Sequence, residues 1–308
     1  MDIDESPSQA LLRACACAEP NDEDSIKVLL CQAGADGLRA VDAEGRSPLL
    51  IACSSGGLSA VQMLLEARAD SESVDLGGRG LCLLAAESGS RELLAWLLGQ
   101  GLVNLTECAE DGSTALLCAA GGQHAEQSAQ MVAFLLDGPP GAQTASSLEE
   151  RDARGADALL CAAEAGAPAV VKELLRRGAS VATVDAHGCG LLHFAAAGGS
   201  LAMVEFCVKD LKFACDVRDG DGDTPLLIAA YEGNCEVVEW LLRNGSSLEE
   251  RNADGMSAAM SAAAGEQSEV LALLSRLSGE SAESLWVKEL DRHPELVLNF
   301  LEKGAAEM

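Results

Sequence analysis

The sequence predicts an all-α solenoid of about eight helix-turn-helix units, with short hairpin-like tips and a helical C-terminal cap. Three observations predict it: a pattern of small and apolar residues recurring every 33 or 34 residues, hydroxyl-proline pairs at helix starts, and glycines at the helix ends. The clearest copy, residues 219–233, reads DGDGDTPLLIAAYEG, continues through Val237-Val238 and Leu241-Leu242, and closes at Gly245. A second copy, residues 42–53, reads DAEGRSPLLIAC and is followed by Val61 and Leu64-Leu65. Leu11, Leu49, Cys82, Leu116, Leu159, Leu192, Leu226 and Ala259 hold equivalent positions, at intervals of 38, 33, 34, 43, 33, 34 and 33, so the period carries two insertions.

Each element of the unit has a physical reason. Ser47-Pro48 and Thr224-Pro225 place a hydroxyl at the N-cap, where it accepts from an orphan backbone N–H, and a proline at the first helical position, where no N–H is needed. The alanine pairs at 85–86, 119–120, 162–163, 195–196, 229–230 and 262–263 let helices approach closely at no cost in side-chain entropy, which predicts a thin, buried first helix. Gly56, Gly89, Gly166, Gly199 and Gly233 then end it, because glycine accepts the left-handed backbone of a helix C-terminus. The spacings Val61 to Leu64-Leu65, Leu94 to Leu97-Leu98, Val171 to Leu174-Leu175 and Val238 to Leu241-Leu242 give a second amphipathic helix, closed by Gly34, Gly101, Gly178 or Gly245 and followed by an Asp-x-x-Gly tip.

In these motifs the chain resembles the ankyrin-repeat family, whose unit carries Thr-Pro-Leu-His, Ala-Ala, Leu-Leu and Gly-Ala. The resemblance covers about residues 5 to 275 and implies a repeat domain over 1–275, with units near 6–38, 42–70, 75–104, 109–145, 152–181, 185–215, 219–248 and 252–275. Residues 276–308 are left as the cap, with helices expected over 284–290 and 294–303. The departures are local: His193 alone keeps the tetrad histidine, Gly80 replaces the hydroxyl cap in the third unit, and Arg68 stands where glycine is expected. The acidic stretch from Glu19 to Asp24 lengthens the link between the first two helices. In the fourth unit, residues 121–129 are expected to loosen the corresponding link and residues 137–147 to extend the exit from the second helix. Residues 146–156 (SSLEERDARGA) and 246–256 (SSLEERNADGM) match at 8 of 11 positions, which a block duplication of three units explains.

Charge and composition then restrict the function. With 49 Asp and Glu against 21 Lys and Arg, a net charge of −28 repels phosphate backbones and anionic head groups, so neither nucleic acid nor a membrane is an expected partner. The first residues, MDIDESPSQA, lack the basic and apolar regions of a secretory signal, and the expectation is a cytoplasmic or nuclear protein in a reducing compartment. Its 12 cysteines are then free thiols: equivalent slots in consecutive repeats, such as Cys118 and Cys161, are separated by a helix-packing distance of about 8–10 Å, too far to bridge. Most are small core residues, with Cys108 and Cys189 the expected reactive ones.

No catalytic, metal or cofactor site is expected. The run from Asp219 to Asp223 resembles the start of a calcium loop, but Thr224 stands where the loop needs glycine and Ala230 where it needs a bidentate glutamate. The close pair Cys15 and Cys17 points to opposite sides of a helix and does not make a zinc site. Phosphate-loop, nucleophile-elbow and zinc-helix motifs are absent. The expected function is a non-catalytic interaction scaffold or adaptor, monomeric by itself, whose concave acidic face binds a protein partner with a basic segment. The alternative is a regulatory or substrate-recruiting subunit of a larger enzyme assembly.

The candidate contact residues are Glu44, Arg46, Glu87, Glu110, Asp111, Glu164, His187, Asp221, Asp223, Tyr231 and Glu232, on the tips and first-helix ends. Each Asp of the Asp-x-x-Gly turns caps its own backbone. Glu44, Glu110, Asp111, Asp221 and Asp223 have no such turn duty and are the stronger candidates. Tyr231 is the aromatic anchor on that strip, whereas Trp96 and Trp240 are expected in the core.

Overall fold

The computed structural model describes residues 6–16, 23–122, 124–139 and 145–279; the acidic link near Glu19 and the C-terminal cap helices lie wholly or largely outside them. The chain forms two compact units. One comprises the chain to Ala162 together with Ala169–Val181, the other Ala163–Pro168 together with the chain from Ala182 onward.

In the first unit the helix pairs are α1 (Pro7–Ala16) with α2 (Glu23–Leu38), α3 (Pro48–Ser54) with α4 (Leu58–Glu66), α5 (Leu81–Glu87) with α6 (Arg91–Gly99), and α7 (Ala115–Ala120) with α8 (Ala125–Asp137). Each pair packs on itself, and the first helices stack in the order α1, α3, α5, α7. Two further helices, α9 (Ala158–Glu164) and α10 (Pro168–Arg176), follow, each with residues in both units. In the second unit the pairs are α11 (Leu191–Ala197) with α12 (Leu201–Glu205), which runs on into a π-helical turn at Phe206–Asp210, then α13 (Pro225–Glu232) with α14 (Cys235–Arg243), and α15 (Ala258–Ala264) with α16 (Ser268–Ser278). The first helices stack in the order α11, α13, α15, and the second helices as α12, α14, α16.

The first helices are thin and buried because of their alanine pairs. Ala85, Ala86, Ala119, Ala120, Ala195, Ala196, Ala229 and Ala230 are all fully buried, and the leucines around them close the core. The glycines expected to end these helices, Gly56, Gly89, Gly166, Gly199 and Gly233, all have positive φ. Gly34 departs from expectation: at φ 59° and ψ −151° it breaks α2, but the chain regains a helical turn as far as Leu38.

The fourth unit also differs from expectation. Where a loosened link is expected over 121–129, residues 125–129 are helical: α8 begins at Ala125 and runs 13 residues where α6 runs 9, so four inserted residues become one extra turn. Ala125, Glu126, Gln127 and Ala129 are good helix formers, and a turn added to an existing helix needs no new nucleus. At the far end, Asp137 holds Arg177 through two hydrogen bonds of 2.7 and 3.0 Å, and Arg177 also donates to Glu173 at 2.7 Å. The Arg176 and Arg177 guanidiniums keep the Glu173 carboxyl down at about 2.

Trp96 and Trp240, expected in the core, are only half-buried. The indole of Trp240 lies beneath the Lys209 ammonium, 5.6 Å from the ring centre, and this cation contact suits a partly solvated ring.

Candidate functional site

The tips are built by one recurring turn. The Asp42 carboxylate accepts from the backbone N–H of Glu44 at 3.0 Å and of Arg46 at 2.9 Å. Asp75, Asp152, Asp185 and Asp219 repeat this pair of bonds, and Asn252 does so with its amide oxygen. Short antiparallel bridges, Cys108 with Thr114, Val184 with Gly190 and Arg251 with Ser257, make three tips hairpin-like. Tips are then joined through the backbone. In the first unit Leu76, Glu110 and Ala153 donate to the carbonyls of Glu44, Gly77 and Asp111 at 3.0, 3.0 and 2.7 Å; in the second, Gly220 and Ala253 donate to those of His187 and Asp221 at 2.8 and 2.9 Å.

This arrangement brings Glu44, Arg46, Glu110 and Asp111 onto one row in the first unit, and His187, Asp221 and Asp223 onto another in the second. Glu44 and Glu110 are exposed; Glu44 pairs with Arg46 at 3.0 Å, and Arg46 also pairs with Asp42 at 2.8 Å. Burial pushes the Asp42 carboxyl up, but the N–H donors of Arg46 and Glu44 and the Arg46 guanidinium outweigh it and hold it below its ordinary value. Glu87, at the end of α5, is held by Arg79 at 3.0 Å. His187 and Asp221 are both exposed, 3.9 Å apart. Tyr231 is 49% exposed at the end of α13, beside the exposed Glu232, and Glu164 is half-buried at the end of α9.

Two acids expected to be without structural work have some. Asp111 accepts from Ser113 N–H at 2.9 Å, because Ala109 stands where the other tips carry their capping aspartate. Asp223 is half-buried and accepts from the Asn252 amide at 2.9 Å, and burial raises its carboxyl above the ordinary value despite that bond. Cys189 also departs from expectation. It donates to Asp219 at 3.1 Å, and burial together with Asp219, Asp185 and Asp223 pushes its thiol well above the ordinary value, so it is a poor nucleophile. Cys108 is exposed, as is Cys31. Among the described residues no cluster of His, Cys, Asp and Glu is placed to hold a metal ion.

A set of residues that sequence reasoning passed over joins the repeats beneath the tips. Thr224 caps α13 by position, yet its hydroxyl does not accept from the helix; it donates to Glu250 at 2.6 Å. Thr114 donates to Glu150 in the same way. The other oxygen of each glutamate accepts from Ser147 or Ser247 N–H at 2.6 Å. The signal was present in the duplicated SSLEER segment, whose Ser-x-x-Glu spacing places the carboxylate back on the serine N–H. Ser47 does cap as expected, accepting from Leu50 N–H at 3.4 Å, and Ser257 does the same for Met260 N–H at 3.3 Å.

Stacked first and second helices with backbone-joined tips define a helical-repeat scaffold. The comparisons specify which: residues 81–185 and 192–283 match the family described as ankyrin repeats (3 copies), and residues 11–65 match ankyrin repeats (many copies). The chain belongs to the ankyrin-repeat family. It is 27% identical over 227 residues to the human transient receptor potential cation channel subfamily A member 1, covering 73% of this chain and 17% of that protein. The Drosophila melanogaster protein of the same name is 29% identical over 234 residues, covering 75% of this chain and 16% of the relative. Human protein phosphatase 1 regulatory subunit 27 is 35% identical over 81 residues, 26% of this chain and 51% of that protein. The chain thus matches about a sixth of the length of the two channel proteins. Among the described residues no helix is long and apolar enough to cross a membrane.

Proposed function

We propose that this chain is a non-catalytic interaction scaffold or adaptor that recruits a protein partner carrying a basic segment, through the acid-rich tip rows and adjoining first-helix ends of its units. The supporting observation is the exposure of Glu110 and Asp221 on tips whose turn bonds are made by other groups, within a chain of net charge −28. Such charge steers encounter and selects against anionic partners more than it sets affinity. Tyr231 supplies an aromatic anchor in the second unit. In this reading the protein works as a monomer in a reducing compartment, cytoplasmic or nuclear, with no cofactor and no nucleic-acid or membrane partner.

The test is capture of partners from cell extract across a salt series. Binding is expected to weaken as the Debye length falls below about 10 Å near 0.1 M salt, and to weaken further with Glu110→Lys and Asp221→Lys. These two positions are chosen because Asp111 and Asp223 have structural bonds to lose. Capture indifferent to both salt and charge reversal overturns the proposal. The likeness to a phosphatase regulatory subunit favours a second reading, that the chain regulates or recruits substrate for an enzyme assembly. A catalytic subunit that co-purifies stoichiometrically distinguishes it.

A further inference from the structure

At Gly80 the clip between repeats is half-built. Gly80 occupies the slot of Thr114 and Thr224 and has their extended backbone, φ −94° and ψ −169° against φ −98° and −101° for the threonines. Glu107 occupies the slot of Glu150 and Glu250, and its Oε1 accepts from Asn104 N–H at 2.7 Å as theirs accept from Ser147 and Ser247. Its Oε2 has no donor: a Cβ placed on Gly80 would lie 3.8 Å from it, where a threonine would carry the hydroxyl. Gly80 lines a cleft of about 420 Å³ in the first unit, walled by Val74, Leu81, Leu102 and Val103, with Glu72 and Glu107 on its lining. Val74 is 55% exposed and Leu102 36% exposed, so the cleft opens to solvent.

We propose that this cleft receives a basic side chain of a bound protein, its aliphatic stem along Val74, Leu102 and Val103 and its cationic head on the Glu107 Oε2 that lacks a donor. The chemistry is that of a long cationic side chain: an apolar wall for three or four methylenes and a carboxylate with open acceptor capacity, with a second acid, Glu72, on the same lining. A purely apolar occupant would leave the Glu107 oxygen covered and unpaired, and an anionic one would face two carboxylates. Neither Glu110 nor Asp111 lines the cleft, although Glu110 packs on its lining residue Gly78, and the cleft is tested through Gly80 and Glu107 rather than through the tip acids.

Gly80→Thr gives a test in which the altered protein is better folded. The threonine donates to Glu107 as Thr114 does to Glu150, takes up the oxygen the cationic head would use, narrows the cleft at that end, and raises the melting temperature. The probes are N-acetyl-lysine methylamide, its arginine counterpart, and N-acetyl-norleucine methylamide, which has the lysine stem without the charge. Each is titrated into the full chain and followed by the amide NMR shifts of Gly80, Glu107 and their neighbours. The expected result is saturable shifts with a cationic probe, at least tenfold weaker binding of norleucine, loss of binding in Gly80→Thr, and reduction to the norleucine level in Glu107→Gln. Absence of saturable shifts with both cationic probes, equal binding of norleucine, or unchanged binding in Gly80→Thr overturns the proposal. Because Asp221 belongs to the second unit and lines no part of the cleft, failure of Asp221→Lys to change partner capture does not decide this result.

Discussion

Arg68, Lys212 and Glu266 hold left-handed backbone conformations, with φ of 67°, 64° and 60°, in slots where other repeats carry glycine: Gly101 for Arg68, Gly178 and Gly245 for Lys212, Gly199 and Gly233 for Glu266. A side chain in this region costs roughly 1–2 kcal/mol, of which glycine's extra freedom in the unfolded chain gives back about 0.5–1 kcal/mol. Arg68→Gly and Glu266→Gly are therefore expected to stabilise the protein by about 0.5–1 kcal/mol each, read as a higher denaturant midpoint at unchanged slope. His193 responds to pH rather than to backbone strain. Its Nδ1 accepts from Gly190 N–H at 3.1 Å, which completes the cap that Gly190 has no side chain to make. Burial drives its pKa below 6.5 against the pull of Asp219 and Asp185. A depressed folded pKa means that the ring's contribution is full above about 6.5 and is lost as pH falls through that value toward the folded one. His193→Leu, which restores the residue found at Leu160 and Leu227, is expected to flatten the decline in stability between pH 7 and pH 5 whatever it costs at neutral pH; an unchanged slope would count against the buried, neutral ring.

Between elements, the clip from Thr114 to Glu150 and from Thr224 to Glu250 fastens the start of one first helix to the loop that enters the next repeat. Thr224 is fully buried, so Thr224→Val keeps the shape and removes only the donor to a carboxylate, at an expected cost of about 1.5–3 kcal/mol. Glu250→Gln, which keeps an acceptor for Ser247 N–H, is expected to cost less; urea denaturation of both variants gives the order. The helix inventory was legible because Ala-Ala pairs, Leu-Leu pairs and glycine stops each report a local constraint that neighbouring repeats reinforce. The clip was not, since it joins residues 26 and 36 positions apart and spends the threonine hydroxyl on a partner that no local capping rule supplies. The extra turn of α8 was misplaced for a related reason: Gly121 and Gly122 read as a loosened link, while the helix formers after them were strong enough to extend the helix back to Ala125.

Across the molecule, the bulk charge of −28 resolves into two populations. Asp42, Asp75, Asp152, Asp185 and Asp219 are committed to turn N–H groups, whereas Asp221 on the Asp219 tip and Glu110 on the tip of Ala109 are exposed. The spacing of the turns made the first population readable; the duties of Asp111 and Asp223 depended on an alanine at 109 and on an asparagine in the following repeat, and so became visible only in three dimensions. The cysteines divide in the same way. Burial lifts Cys53 and Cys207 to about 12, in keeping with a core role, whereas Cys189 is silenced by burial together with Asp219, Asp185 and Asp223, two of which belong to the following repeat. The bonds that pass from tip to tip also bear on how the fold opens. Leu76, Glu110 and Ala153 each shelter an amide hydrogen on the carbonyl of the tip before, so deuterium reaches these amides only when the two joined tips part. Opening is thereby coupled between neighbouring tips, and a partner that clamps one tip is expected to slow exchange at the amides bonded to it.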